Sequence, residues 1–352
     1  MKAVILVGGF GTRLKPLSIS TPKAMMPVIN TPFLEYVIRR LVQHNIRQIV
    51  LAISHLAEPI ESYLGDGSRF GANLTYTIED TALGTAGAVK NAEKYLNEAF
   101  FILNGDIFTD LDLTAMMTFH VQRKSLITIA LTPVDDPTHY GLIETDTRNR
   151  ISSFLEKPRW DQVTTNMINA GTYILEPEVL ANIPPQKKFS FERQVFPPLL
   201  EQRESIYAYP SSYYWIDIGT PRKYQQLNRD LLNGKSNQYA YKAESDHSGA
   251  DIIQPLVVGD NCEIGGNTKL AGPLVIGPGS SIASNAVIED CVIWNDVAIE
   301  AGAVVKHSII GNKCHIGSGS IIGNSVIADN VTIADGYQLE PGSNIWPDTR
   351  LG

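Results

Sequence analysis

From Gly8 to Val28 the chain reads GGFGTRLKPLSISTPKAMMPV, a stretch suited to handling phosphate. Gly8, Gly9 and Gly11 allow close approach to the backbone, so amides can hold phosphate oxygens, while Arg13 and Lys23 add positive side chains. The surrounding charge agrees: residues 1–47 contain seven Lys or Arg and a single acidic residue, Glu35. No Gly-Lys-Ser/Thr closes the loop as a Walker A motif would require. Leu14 also occupies the place of the third glycine in a dinucleotide fingerprint. Taken alone, the loop can equally be a structural turn with solvated bases. Two carboxylates follow later. Ala99 to Leu103 is an apolar run ending in Asn104-Gly105-Asp106, and the run Tyr213 to Ile218 contains Asp217 and is itself followed by Gly219. Each Asp has a plain alternative as a turn former or cap, and Asp112 is read as capping a helix over 113–122. If Asp106 and Asp217 converge on a phosphate site they would hold Mg²⁺, which prefers oxygen ligands and bridges carboxylates to substrate phosphates. The seven histidines form no HxxxH or HExxH pattern and the three cysteines no CxxC pair, so zinc hydrolysis and a disulfide scaffold both lack support.

The elements that must carry these residues are legible from periodicity. Ala3 to Val7 and Gln48 to Ile53 read as buried strands; Leu34 to His44 and Glu58 to Leu64 read as amphipathic helices. This alternation predicts an α/β fold with a Rossmann-like, mainly parallel sheet whose ligands gather at the carboxyl ends of its strands. With 352 residues, 43% of them hydrophobic and 19% charged, the chain can close a large core, which excludes a disordered chain.

Near residue 250 the composition changes. Half of the 28 glycines lie beyond it, and residues 250–352 carry four basic and eleven acidic side chains, most of the formal charge of −8. From Ile252 an aliphatic residue returns every six positions, through Val258, Ile264, Leu270, Ile276, Ile282 and Ile288. The phase slips by one at Ile288, Val305 and Ile322, and the last positions are Ile327, Ile333, Leu339 and Ile345. A six-residue period fits a coil of three flat faces, each with one inward aliphatic residue and glycine or Asn at the corner. Such repeats resemble the hexapeptide left-handed β-helix. His307 and His315 lie within it and are read as face or corner residues without catalytic partners. The expected domains are 1–232 (catalytic), 233–250 (linker) and 251–352 (β-helix and tail).

The motifs GGFGTRLKPLSISTPKAMMPV, ALGTAGA, NGD, YG, FLEKP, NAGTYIL and WIDIGTP occur in one order along the chain, ahead of the β-helix. In this the chain resembles the sugar-1-phosphate nucleotidyltransferases, with the mannose-1-phosphate guanylyltransferases as its nearest branch. The resemblance implies that Leu6, Gly8, Gly9, Gly11 and Thr12 hold the nucleotide, that Arg13 contacts the triphosphate, and that Lys23 binds phosphate during transfer. It assigns the metal, Mg²⁺, to Asp106 and Asp217. By the same comparison Glu156 binds a sugar hydroxyl, Lys157 the sugar phosphate, and Tyr140, Gly141 and Asn169 line the sugar pocket. Without it, Glu156-Lys157-Pro158 reads as an exposed strand end.

Glu79 stands where many relatives that use uridine or thymidine nucleotides have Gln. A carboxylate can accept both N1–H and the N2 amino group of guanine, which points to GTP, with Gly84 packing near the base; the competing reading is a solvated acid. The expected reaction joins GTP and mannose-1-phosphate into GDP-mannose and releases pyrophosphate. UTP or dTTP with glucose-1-phosphate stays open, as does a non-catalytic subunit that binds nucleotide-sugar. The acidic balance argues against nucleic acid. The apolar run at the N-terminus is too short for a membrane span or signal core, so no membrane association and a cytoplasmic location are expected. The open ends of a solenoid need covering, which leads to an expected homo-oligomer.

Overall fold

The computed structural model describes residues 1–9, 11–54, 56–79, 81–239 and 249–352. Two compact units result. One comprises Met1–Gly9 with Leu34–Trp215; the other comprises Phe10–Phe33 with Ile216–Gly352. Half of the expected linker, residues 240–248, lies outside the described residues.

The first unit is built on a nine-stranded sheet. Its strands are β1 (Lys2–Leu6), β2 (Gln48–Ile53), β3 (Asn73–Ile78), β4 (Phe100–Asn104), β5 (Ile127–Pro133), β6 (Gly141–Thr145), β7 (Ile151–Glu156), β8 (Met167–Leu175) and β9 (Ile206–Pro210). The order is β7-β6-β8-β4-β1-β2-β3, with β5 paired to β8 and β9 to β5. Strands β1 to β4 form a parallel block in which Lys2 pairs with Gln48 on one side and Phe100 on the other. Strand β8 runs against β4, β5 and β6, and β7 against β6, so only β7 and β8 oppose the common direction and the sheet is mainly parallel. Continuous apolar runs such as Ala3-Val4-Ile5 suit a sheet covered on both faces.

Helices α1 (Phe33–Gln43), α2 (Ala57–Leu64), α3 (Gly84–Asn91), α4 (Leu113–Arg123) and α5 (Phe196–Glu201) follow strands in this unit, and α5 extends a π-helical turn at Phe191–Val195. Leu34, Val37, Ile38 and Leu41 form the buried stripe of α1. Asp112 caps α4 as expected, accepting the Ala115 N–H at 3.0 Å.

In the second unit the strands stack as three parallel sheets, the three faces of a left-handed β-helix. One inward ladder runs Ile252, Leu270, Ile288, Val305 and Ile322; a second runs from Val258 through Ile276, Ile293, Ile310 and Ile327 to Ile345. The third runs from Ile264 through Ile282, Ile299, Ile316 and Ile333 to Leu351. These ladders fill the solenoid core. The phase slips have a structural cause. At the corners after Ile288, Val305 and Ile322 one residue is missing, and Asp290, His307 and Asn324 turn the chain with φ of 53°, 51° and 50°. Leu339 is buried but outside the ladders, bonded through its N–H to the Ile321 carbonyl. Helix α6 (Pro221–Leu232), capped by Thr220, belongs to this unit.

His307 occupies a corner with Nδ1 2.7 Å from Asp290 Oδ2, and Arg229 of α6 grips the same carboxylate. Cys291 and Cys314 are buried, and burial pushes both thiols up to about 12, so neither is a nucleophile at neutral pH.

Candidate functional site

The candidate residues fall in both units. In the first, β1 ends at Leu6, and the Gly105 N–H donates to the Leu6 carbonyl at 2.9 Å. A Cβ on Gly105 would sit 2.7 Å from that carbonyl oxygen, so only glycine lets the two strand ends meet and set Asp106 just beyond them. Ser54 Oγ donates to the Gly8 carbonyl at 2.7 Å, fixing the start of the glycine loop. A Cβ on Gly9 would meet nothing within 4 Å, so packing places no demand on that glycine.

Glu79 follows β3 and is buried, at 6% exposure, so the solvated reading fails. Its Oε2 accepts the Leu83 N–H at 2.8 Å. Burial raises the carboxyl above its ordinary range, an effect the Leu83 N–H partly offsets. Gly84 opens α3 with φ of 72°, and a Cβ there would lie 2.7 Å from the Phe189 carbonyl oxygen. Its glycine is thus required by backbone packing.

Around β6, β7 and β8 the structure gathers the residues that the resemblance gives to the sugar. A Cβ on Gly141 would fall 2.6 Å from the Phe154 ring and 3.1 Å from Glu156 Oε2, so glycine leaves room for that carboxylate. The Glu156 carboxyl is raised by burial first and by the nearby Glu192 second, against the opposing pull of Lys157 and Arg193. Lys157 adopts φ of 50°, rare for a side chain of its size, and its N–H donates to the Tyr140 carbonyl at 2.9 Å. The Tyr140 ring meets Trp215 edge-on at 5.4 Å, and Trp215 Nε1 donates to the Ala170 carbonyl.

The β8 register shifts between Asn169 and Tyr173, with Gly171 at φ of 68°. Asn169 spends both ends of its amide here: Nδ2 donates to the Tyr173 hydroxyl at 2.8 Å and Oδ1 accepts the Gly171 N–H at 3.0 Å. The Tyr173 hydroxyl continues to Glu192 Oε1 at 3.3 Å. Glu192 Oε2 accepts from Ser190 Oγ and, at 3.0 Å, from Thr85 Oγ1 of α3. Glu192, Thr85 and Tyr173 are functional candidates that sequence reasoning missed. The signal was FSFERQVFPPL, a charged pair set inside an apolar run.

In the second unit the loop after Gly9 makes three short helical turns, Thr12–Leu14, Leu17–Ile19 and Lys23–Met25. Leu14, Leu17, Ala24 and Met26 are buried and pin the turns, while Thr12 and Arg13 stay exposed. Gly11 takes φ of 58°, and its carbonyl accepts from Ser18 Oγ at 2.7 Å. Arg13 and Asp217 come together around Gly219: a Cβ there would meet Asp217 Oδ2 at 2.8 Å and the Arg13 guanidinium at 2.9 Å. Asp217 is buried and pairs with Lys223 of α6.

A metal at Asp217 would compete with the Lys223 ammonium, a positive charge already matched to that carboxylate. Among the described residues no group of three or more His, Cys, Asp or Glu side chains is arranged to hold a metal. Carboxylate donors of this kind suit Mg²⁺, whose remaining ligands are commonly water and substrate phosphate.

Comparison with known proteins follows the same division. The profile described as Nucleotidyl transferase matches residues 2–234, and that described as EIF2B subunit epsilon LbH domain matches residues 235–339. The chain is 35% identical over 302 residues to the mannose-1-phosphate guanylyltransferase of Mycobacterium tuberculosis, covering 85% of this chain and 81% of that protein. It is 32% identical to a UTP--glucose-1-phosphate uridylyltransferase of Synechocystis, over 84% of this chain and 83% of the relative. Among solved structures, HddC from Yersinia pseudotuberculosis complexed with GMP-PN is 33% identical, with a TM-score of 0.57 over 65% of this chain and 99% of that one.

Proposed function

Since the chain belongs to the nucleotidyl transferase family, we propose that it transfers a guanylyl group from GTP to mannose-1-phosphate, releasing pyrophosphate and forming GDP-mannose. The observation that carries this reading is the 35% identity to a mannose-1-phosphate guanylyltransferase over 85% of the chain. Buried Glu79 supports the base: a guanine edge offers two donors to a carboxylate, whereas uracil alternates acceptor and donor.

In this proposal the sugar phosphate attacks the α-phosphorus in line and pyrophosphate leaves. The amides of Gly8, Gly9, Gly11 and Thr12, with Leu6 beside them, hold the triphosphate. Arg13 and Lys23 offset its charge, and Lys157 holds the attacking phosphate. Glu156 binds a sugar hydroxyl, with Tyr140, Gly141 and Asn169 around it. The attacking phosphate is already ionised at neutral pH, so no general base is needed. Asp106 and Asp217 would hold Mg²⁺, which would supply charge neutralisation for the phosphates. Residues 1–232 would form the catalytic domain, 251–352 the β-helix and tail, and a second copy of the chain would cover the solenoid's open strand edges. No helix among the described residues is long and apolar enough to cross a membrane.

A pyrophosphate-release screen of GTP, UTP, dTTP, ATP and CTP against mannose- and glucose-1-phosphate, with and without Mg²⁺, tests the reading. Turnover should be greatest with GTP and mannose-1-phosphate, depend on Mg²⁺, and fall by orders of magnitude in Asp106→Asn and Asp217→Asn. Silence with every pair would sink the catalytic reading, and preference for UTP or dTTP with glucose-1-phosphate would replace it with the uridylyl or thymidylyl alternative.

A further inference from the structure

The loop carrying Arg13 and Lys23 belongs to the same compact unit as the solenoid, and hydrogen bonds tie it down on both sides of Lys23. Ser20 Oγ donates to Asp329 Oδ2 at 2.7 Å. Beyond Lys23, the Tyr224 hydroxyl donates to the Pro27 carbonyl and Asn30 Nδ2 to the Ile276 carbonyl at 2.8 Å. Tyr224 is itself fixed by Trp294 Nε1 at 2.9 Å, inside the solenoid wall. Two of the tethers therefore reach solenoid residues directly, and the third does so through α6.

The Ser20 contact lies on the segment between the two cations. Its acceptor is rigid: Asp329 is 8% exposed, and its Oδ1 accepts the Asn312 N–H at 2.7 Å from the preceding coil. Swinging Asp329 away would leave that coil amide without its carboxylate, at the expense of a charge-assisted bond. Only Thr21 and Pro22 separate Ser20 from Lys23, and proline fixes its own φ, so an anchored Ser20 restricts where the Lys23 backbone can go. Holding such a loop in place beforehand removes part of the ordering cost of gripping a triphosphate.

We propose that Asp329 is a positioning residue for nucleotidyl transfer: through Ser20 it holds the phosphate loop, which makes the solenoid part of the machinery that presents Lys23. The proposal rests on the reading of Arg13 and Lys23 as phosphate-binding residues.

Ser20→Ala removes the anchor without altering the solenoid. It should lower kcat/KM for the nucleotide about tenfold, the effect of losing one charge-assisted hydrogen bond, with the melting temperature lowered by a few degrees at most. Ser20→Thr, which keeps the hydroxyl, should restore the rate. Asp329→Ala should cost a similar factor alone and nothing further in the Ser20→Ala background. Hydrogen exchange at amides of residues 12–26 should quicken in both single variants of the full chain. Wild-type kinetics in Ser20→Ala, an undiminished Asp329→Ala loss in that background, or unchanged exchange would each overturn the proposal. A wild-type enzyme inactive with every substrate pair would instead defeat the phosphate-loop reading, while the exchange experiment would still judge the anchor.

Discussion

Replacing Glu79 with Gln isolates one carboxylate at a site where shape and packing need not change. The side chain is 6% exposed and its Oε2 accepts the Leu83 N–H at 2.8 Å. Gln can keep that acceptor, but under the proposed guanine readout its second group becomes an NH₂ donor facing the two donors of the base edge. A hydrogen bond to a charged group contributes about 1.5–3 kcal/mol, and about 1.4 kcal/mol is a factor of ten. The GTP-over-UTP ratio of kcat/KM should therefore fall about 10- to 100-fold, read by competition between the two nucleotides.

Stability should move the opposite way. Burial raises the Glu79 carboxyl in the folded protein, so the folded state binds its proton more tightly than the unfolded chain. The stability linked to this group is fully present below the ordinary value of 4.5 and is lost as pH rises through the raised one. Glu79→Gln removes that loss, so the variant should melt higher than wild type at neutral pH, with the gap closing in acid. A ratio unchanged by the substitution would refute guanine readout, and a variant melting lower at neutral pH would refute the electrostatic argument.

Gly141→Ala places a methyl 2.6 Å from the Phe154 ring and 3.1 Å from Glu156 Oε2, so kcat/KM for the sugar phosphate should drop at least about tenfold, with a smaller change in nucleotide affinity by calorimetry. Glu192→Gln removes a like charge that helps raise Glu156, so the acid limb of the pH–rate profile should move to lower pH; an unmoved limb would show that the two carboxyls do not communicate. Trp294→Phe deletes the Nε1 bond to Tyr224 and leaves a void in a fully buried site, which should destabilise the protein by about 1–3 kcal/mol in denaturant titrations.

The solenoid was legible because each inward position touches its counterpart one coil away, which forces the aliphatic period onto the sequence. The slips at Ile288, Val305 and Ile322 were visible too, but their cause, a corner shortened by one residue and turned by Asp290, His307 and Asn324, needed backbone angles. Motif order exposed Glu156 and Lys157, whereas the left-handed backbone of Lys157 leaves no trace in residue type. Glu192 escaped because its partner Thr85 lies 107 residues away, and its position on a π-helical turn follows from packing against α3 and β8. The tethering of the phosphate loop escaped for the same reason: Ser20 and Asp329 are separated by 309 residues, and chain order alone assigns them to different domains.

The proposed transfer joins the two substrates and sheds pyrophosphate. Phosphorus NMR of the enzyme with GTP, mannose-1-phosphate and Mg²⁺ follows it directly. The sugar-phosphate resonance should decline towards an equilibrium level as a sugar-linked diphosphate and pyrophosphate grow in equal amounts. A sugar-phosphate resonance that never declines and no sugar-linked diphosphate, whether GTP is left intact or hydrolysed, would contradict it.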